Sequence, residues 1–429
     1  MKTIREILKR MPFLKPLVKK IRGLNQFAKI YLAQKQVEKI AELKIKKIKA
    51  GAKIRVAFFI SQKQLWGSQT VYDNFLQDSM FEPIIVAFPN TVDKINNKNV
   101  TCNDNYDFFR RRNMKVVYGY DPEKNLFITL DMIDADIIFY DQPYPGLPDN
   151  LSWNEAVKNA LVCYIPYGYK IAKSYNDHFN SELTNNCWRV FAESEWHKSQ
   201  FKKFGKDRGK NVVVSGYPKL DVYNQISDTD EKFKRTKSTI IWAPHWSLKG
   251  AALKHATFDK NYKFFLKYAN ENKDISWVFK PHQSLKHYLE EIGFMTKNEI
   301  DDYYKQWRIL SGERFSDDNR DYFELFKNSD ALITDCGSFL AEYLPTKKPI
   351  LLLVNEDSMG YNEIGDKLVS SYYKALNEND IKYFIEDIVV KKNDFLKEKR
   401  LQNLKLVQPN PTGAGKFIVS HIRKSLTVL

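Results

Sequence analysis

Short apolar runs recur along this chain, each breaking off into a small polar turn and then a stretch of helical periodicity. The first is Ile54-Arg-Val-Ala-Phe-Phe-Ile60, followed by Trp66-Gly67-Ser68 and a helical pattern from Gln69 onward. Runs of this length and composition, separated by helix-length segments, predict buried parallel strands in a doubly wound α/β domain. The same pattern returns at Pro83–Phe88, Lys115–Tyr118, Ala135–Tyr140, Leu161–Ile165, Arg189–Ala192 and Asn211–Ser215. A charged, weakly apolar stretch from Asn224 to Lys237 reads as a linker. A second series follows it at Thr239–Ala243, Ser276–Lys280, Ala331–Thr334 and Pro349–Val354.

The expected organisation is a basic helical extension over residues 1–50, an N-terminal α/β domain over 51–225 and a C-terminal α/β domain over 236–410. Residues 411–429 complete the chain; Ala414–Leu426 is helical in pattern. Two doubly wound domains joined this way match the GT-B plan, in which the domains face a ligand cleft and the last helix crosses back to the first domain by analogy. The sequence shows no fixed-period repeat.

The 429 residues carry 68 Lys and Arg against 52 Asp and Glu, a net charge of +16, which favours phosphate-rich partners. Residues 1–50 hold fifteen Lys/Arg and three acids, with Ile4, Leu8, Phe13, Leu14, Leu17, Ile21, Leu24, Phe27 and Ile30 mostly at helical steps. That pattern suits a helix on an anionic membrane surface, or one packed on the body with a solvated basic face. There is no long apolar run for a signal peptide or a membrane span, so the expected location is cytoplasmic, peripheral on the inner face of the membrane. No helix-turn-helix, RNA-binding or zinc pattern supports nucleic acid as the partner. Cys102, Cys163, Cys187 and Cys336 include no C-x-x-C pair, so metal and redox motifs are unsupported.

Four segments carry candidate chemistry, three of them at expected strand exits in the second series. In Ser329-Asp-Ala-Leu-Ile-Thr-Asp-Cys-Gly-Ser-Phe-Leu-Ala-Glu342 a strand ends at Thr334-Asp335, turns at Cys336-Gly337 and opens a helix at Ser338. Ligands of open α/β sheets lie beyond the carboxyl ends of strands, so this turn is a candidate phosphate site, or an ordinary strand–turn–helix with Ser338 as N-cap. In Trp277-Val-Phe-Lys280-Pro-His282 a strand delivers a fixed charge and a titratable donor, suited to a leaving diphosphate. Pro244, His245 and Trp246 end the strand before it. The fourth, Gly216-Tyr-Pro-Lys-Leu-Asp221, is placed near the linker on the first domain. Asp141, in Phe139-Tyr-Asp-Gln-Pro143, is a candidate base, or an N-cap or turn residue.

The ordered set resembles the CDP-glycerol glycerophosphotransferase family, which makes and extends teichoic-acid-type polymers. That family shows a G-x-P-R-x-D element, then A-P-T-W/Y-R, a strand ending R-x-H, and D-Y-S-S with an acidic residue four positions on. Here these stand as Gly216–Asp221, Ala243-Pro-His-Trp-Ser247, Lys280-Pro-His282 and Asp335-Cys-Gly-Ser338 with Glu342, across roughly residues 160–355. The resemblance implies a CDP-linked or other nucleotide-diphosphate donor, a polymer or lipid-linked acceptor and no cofactor. It places Asp335, Cys336, Gly337, Ser338, Glu342, Pro244, His245 and Trp246 with the donor. It places Lys280 and His282 at the leaving phosphates and Tyr167 and Lys170 on the acceptor side; Gly67 and Ser68, in the loop after the first strand, are further acceptor-side candidates. The family's W-H-G-T-P-L-K element, whose His is thought to be the base, corresponds to Tyr164–Lys170; its His position falls on Ile165 or Tyr167. A glycosyltransferase with a nucleotide-sugar donor and an inactive membrane-held scaffold are the rival readings.

Overall fold

The computed structural model describes residues 15–89, 101–144, 146–224, 237–312, 322–408, 410 and 412–427. Residues 1–14 of the basic extension and 225–236 of the expected linker lie outside the described residues. The chain divides into two compact units, one formed by residues 1–167, 175–214 and 416–429, the other by 168–174 and 215–415.

The first unit is built on β1 (Ile54–Ile60), β2 (Phe81–Ala87), β3 (Val116–Tyr118), β6 (Ile137–Tyr140), β7 (Leu161–Tyr164), β8 (Arg189–Ala192) and β9 (Val212–Val214), all pairing parallel in the order β3-β2-β1-β6-β7-β8-β9. Between β3 and β6 a small antiparallel pair, β4 (Tyr120–Asp121) and β5 (Leu126–Phe127), was not anticipated; two residues are too few for periodicity to reveal. Alternation along β1 explains why both faces of the sheet are covered. Ile54, Val56, Phe58 and Ile60 enter one apolar core, while Ala57 and Phe59 enter a second on the opposite face.

The second unit holds β10 (Thr239–Ala243), β11 (Ser276–Phe279), β12 (Ala331–Thr334), β13 (Ile350–Leu353) and β14 (Tyr373–Ala375), parallel in the order β11-β10-β12-β13-β14. Only β14, three residues at the sheet edge, escaped the strand pattern. Trp242 anchors this unit's core, stacked on Phe265 at 4.2 Å and fully buried. The expected pair of parallel sheets is thus present. In each sheet the strand order reverses at one place, between β1 and β6 and between β10 and β12. Doubly wound sheets bind ligands beyond the strand ends at such a point.

The basic helix Lys15–Lys49 belongs to the first unit at its carboxyl end. Ile40, Ala41 and Ile45 are buried in the core there. Lys44 and Lys47 reach Asp136 at 3.0 and 2.7 Å, and the Arg55 N–H donates to it at 2.8 Å. Burial acts to lift the Asp136 carboxyl, but hydrogen bonds from Lys47, the Arg55 N–H and Lys44 outweigh it and hold the group below its ordinary value. The expected boundary at residue 50 therefore falls too late. The last turns of the helix are part of the body, whereas Tyr31 and Leu32 are exposed.

The helix Ala414–Thr427 starts in the second unit, where Asp221 caps it by accepting the N–H groups of Ala414 and Gly415 at 2.8 and 2.7 Å. Its Ile418, Val419, Ile422 and Leu426 lie in the first unit's core. The Gly216–Asp221 element, placed on the first domain by sequence, counts with the second unit.

Candidate functional site

At the switch point of the second sheet, the exits of β10, β11 and β12 are bound into one frame. The Lys280 N–H donates to Trp242 O at 2.9 Å and the His282 N–H to Pro244 O at 3.0 Å, so the β11 exit lies along the β10 exit. Asp335, directly after β12, accepts the His245 N–H at 2.6 Å on one oxygen. Its other oxygen accepts the Thr257 N–H at 2.6 Å and the Thr257 hydroxyl at 2.7 Å. Burial pushes the Asp335 carboxyl up to about 6 against these hydrogen bonds. Its role is to hold the frame, because both oxygens are committed to backbone and side-chain donors.

The frame carries a cluster of imidazoles. His245 and His282 have ring centroids 5.0 Å apart, and His245 and His255 are 6.1 Å apart. Burial, then the neighbouring His282 and His255, holds the His245 ring well below its ordinary value. Burial brings His255 down to about 4; burial and then Lys280 bring His282 to about 3. All three are uncharged near neutral pH. Trp246 packs against His282 and Tyr288 beside them. Among the described residues no three His, Cys, Asp or Glu stand together as metal ligands. Sequence reasoning missed His255, and its only local signal is a lone histidine between two expected strands.

The Cys336–Ser338 turn leads into the short helix Gly337–Glu342. A Cβ at Gly337 would meet only Ile171, at 3.7 Å, so the backbone there is open to close approach. The Cys336 Sγ lies 3.7 Å from Ser338 Oγ, and burial pushes its thiol up to about 11, leaving it protonated. Glu342 is buried. One oxygen accepts from Tyr217 at 2.8 Å and the other from Tyr322 at 2.7 Å, with Lys219 at 3.9 Å. These contacts tie the Gly216–Asp221 element to the helix, a positioning role not visible in the spacing.

Lys170 was expected on the acceptor side of the first domain, but residues 168–174 count with the second unit. Its carbonyl accepts from Asn362 at 3.0 Å, and a Cβ at Gly168 would stand 3.8 Å from the Ser338 side chain. Lys170 therefore belongs to the surroundings of the phosphate-turn candidate.

Asp141, Gly67, Ser68 and Tyr167 come together in the first unit, at the switch point between β1 and β6. With Trp66, Ile165 and Pro166 they line one pocket of about 360 Å³, solvent-facing space included. Asp141 follows β6 directly. Its Oδ2 accepts the Ser61 N–H at 2.7 Å, the Ser61 hydroxyl at 2.9 Å and the Gln62 N–H at 3.1 Å. Its Oδ1 makes no hydrogen bond among the described residues. Burial pushes the carboxyl up to about 6, with the Ser61 and Gln62 hydrogen bonds opposing. Such a group is ionised at neutral pH and close enough to its midpoint to accept a proton.

Two parallel-sheet α/β units, each with polar residues gathered at its switch point, define a GT-B-like protein. The wall teichoic acid polymerase TagF has this fold, with a TM-score of 0.53 at 16% identity over 95% of this chain and 98% of that one. A variant of the same polymerase soaked with CDPG gives a TM-score of 0.56 at 15% identity over the same shares. An S. aureus MnaA–UDP structure gives 0.53 at 15% identity over 88% of this chain and 98% of that one. No curated protein matches in sequence. Residues 168–379 match the model of the CDP-glycerol:poly(glycerophosphate) glycerophosphotransferase family.

Proposed function

We propose that this chain moves a polyol-phosphate group, glycerol-phosphate-like, from a CDP-linked donor to a hydroxyl of a cell-surface polymer or lipid-linked acceptor. The observation that carries the reading is the convergence of Lys280, His245, His282 and the Gly337–Ser338 turn beyond β10, β11 and β12, inside the span that matches the family. In the reaction an acceptor hydroxyl oxygen bonds to the phosphorus that bears the polyol. The bond from that phosphorus to the oxygen of CMP breaks, CMP leaves with the electron pair, and the hydroxyl proton passes to a base. Lys280 supplies fixed positive charge to the phosphates, and the imidazoles supply hydrogen bonds. Asp141 is the base this reading assigns, supported by its unengaged Oδ1 in a pocket and its raised carboxyl.

The basic helix upstream of Ile40 is proposed to hold the protein on an anionic membrane surface. Fifteen Lys/Arg in residues 1–50 and the exposed Tyr31 and Leu32 support this. Among the described residues no helix is long and apolar enough to cross a membrane.

A thermal-shift panel of CDP-glycerol, CDP-ribitol, UDP-sugars and CMP tests the donor. A ligand at a hundredfold excess over its Kd stabilises by about 2.7 kcal/mol. CDP-linked compounds are expected to raise the midpoint; stabilisation by UDP-sugars alone would favour the glycosyltransferase reading, which shares the fold.

A further inference from the structure

His245 and His282 sit in two copies of one turn, Pro244-His-Trp-Ser247 and Pro281-His-Gln-Ser284, beyond neighbouring parallel strands. In each copy the serine N–H donates to the histidine Nδ1, at 3.2 Å for Ser247 and 3.1 Å for Ser284. A ring nitrogen that accepts an N–H must present its lone pair, so the ring proton resides on Nε2. Nδ1 of His255 is engaged by a different route. It lies 2.7 Å from Ser358 Oγ, which also accepts the Gly360 N–H at 3.1 Å. Serines in two separate turns thus set His245 and His282 in one tautomer, and a third, Ser358, engages Nδ1 of His255 and leaves its Nε2 over.

Nε2 of His245 and of His282 has no protein partner among the described residues, and Nε2 of His255 is wholly buried without one. Native proteins rarely leave such a donor unmet, because removing it from water without a replacement bond is costly. Tyr361 stacks on the His255 ring at 5.6 Å and fixes its plane.

We propose that His245, His255 and His282, whose rings cluster with centroids 5.0 and 6.1 Å apart, form a cradle of three N–H donors for the phosphoryl oxygens of a nucleoside-diphosphate ligand, with His255 a binding residue in its own right. This rests on the donor-site reading above. Within it, His282 donates a hydrogen bond to the leaving phosphate and keeps its proton, while Lys280 provides the charge.

Calorimetric binding of CDP-glycerol to the full chain tests this. His255→Gln can place an amide N–H where Nε2–H stands and should bind within about threefold of the unsubstituted protein. His255→Asn places its amide near Nδ1 and should bind at least about tenfold more weakly. Lys280→Ala should weaken binding as well. Unchanged affinity in His255→Asn with a loss in Lys280→Ala overturns the cradle and leaves the donor site standing; the Nε2 then holds only a buried water. Unchanged affinity in both overturns the cradle and the donor-site reading together. Long-range ¹H–¹⁵N spectra of the histidine-labelled, unsubstituted chain need no variant to fold. They should show all three rings neutral with the proton on Nε2 at neutral pH, and a proton on any Nδ1 contradicts the proposal.

Discussion

Asp335 accepts the backbone N–H of His245 at 2.6 Å and so ties the exits of two adjacent parallel strands at the switch point of their sheet. Asp141 does the same in the other unit, accepting the Ser61 N–H at 2.7 Å across β1 and β6. Burial raises both carboxyls to about 6. What separates them is the second oxygen, which in Asp335 is filled by Thr257 and in Asp141 is left over. The first is a brace and the second is available for chemistry.

Asp335→Ala leaves the N–H groups of His245 and Thr257 without an acceptor, at about 1–3 kcal/mol each. Urea unfolding should show a loss of about 3 kcal/mol. The Asp335 carboxyl is raised in the folded state, so its contribution is fully present below the unfolded value of 3.8 and is lost as pH rises through about 6. Compared with Asp335→Asn, the wild type should gain roughly 1 kcal/mol between pH 7 and 5. An unchanged difference between the two pH values contradicts the assignment.

Asp141 as base must be ionised to act, so kcat/KM should rise with pH through about 6 and level off above it. Asp141→Asn should lower turnover by about 10²–10⁴ and abolish that acid limb. Retention of the limb in the variant would assign it to another group.

The basic helix should divide at its point of burial. Deleting residues 1–33 should leave stability unchanged and abolish sedimentation with anionic vesicles. Deleting residues 1–48 removes Ile40, Ala41 and Ile45 from the core and strips Lys44 and Lys47 from buried Asp136. Breaking a buried pair alone costs about 3–5 kcal/mol. A stable protein lacking 1–48 would show that the docking is dispensable, and vesicle binding by the protein lacking 1–33 would place membrane contact elsewhere.

Gly337→Ala separates ligand effects from folding effects. The added Cβ meets only Ile171 at 3.7 Å, an ordinary contact, so the thermal midpoint should hold. Donor affinity should drop by at least about tenfold if phosphate approaches this backbone closely. Equal affinity in variant and wild type would move the phosphates away from this turn.

The strand exits were legible because an apolar run that stops at Pro-His or Asp-Cys-Gly writes its own boundary. Asp141 was legible for the same reason, as the first polar residue after β6. His255 was not, since the serine that orients it lies at position 358 and the ring that stacks on it at 361. Nor could spacing show that Lys170 lies with the second unit, or that Asp221 caps the helix beginning at Ala414, because these depend on contacts between residues far apart in the chain. The resemblance implies ligand contacts for Glu342 and Asp335, whereas the structure spends their oxygens on tyrosines, backbone N–H groups and the Thr257 hydroxyl. Acidic residues at strand ends serve ligands and braces alike, and only the partners distinguish the two.

Product analysis tests the central claim most directly. The purified full chain is incubated with CDP-glycerol and a lipid-linked acceptor, and the released nucleotide is identified by mass. The account predicts CMP in step with acceptor growth by one glycerol phosphate per turnover. Release of a nucleoside diphosphate from a nucleotide sugar, with CDP-glycerol untouched, would contradict it.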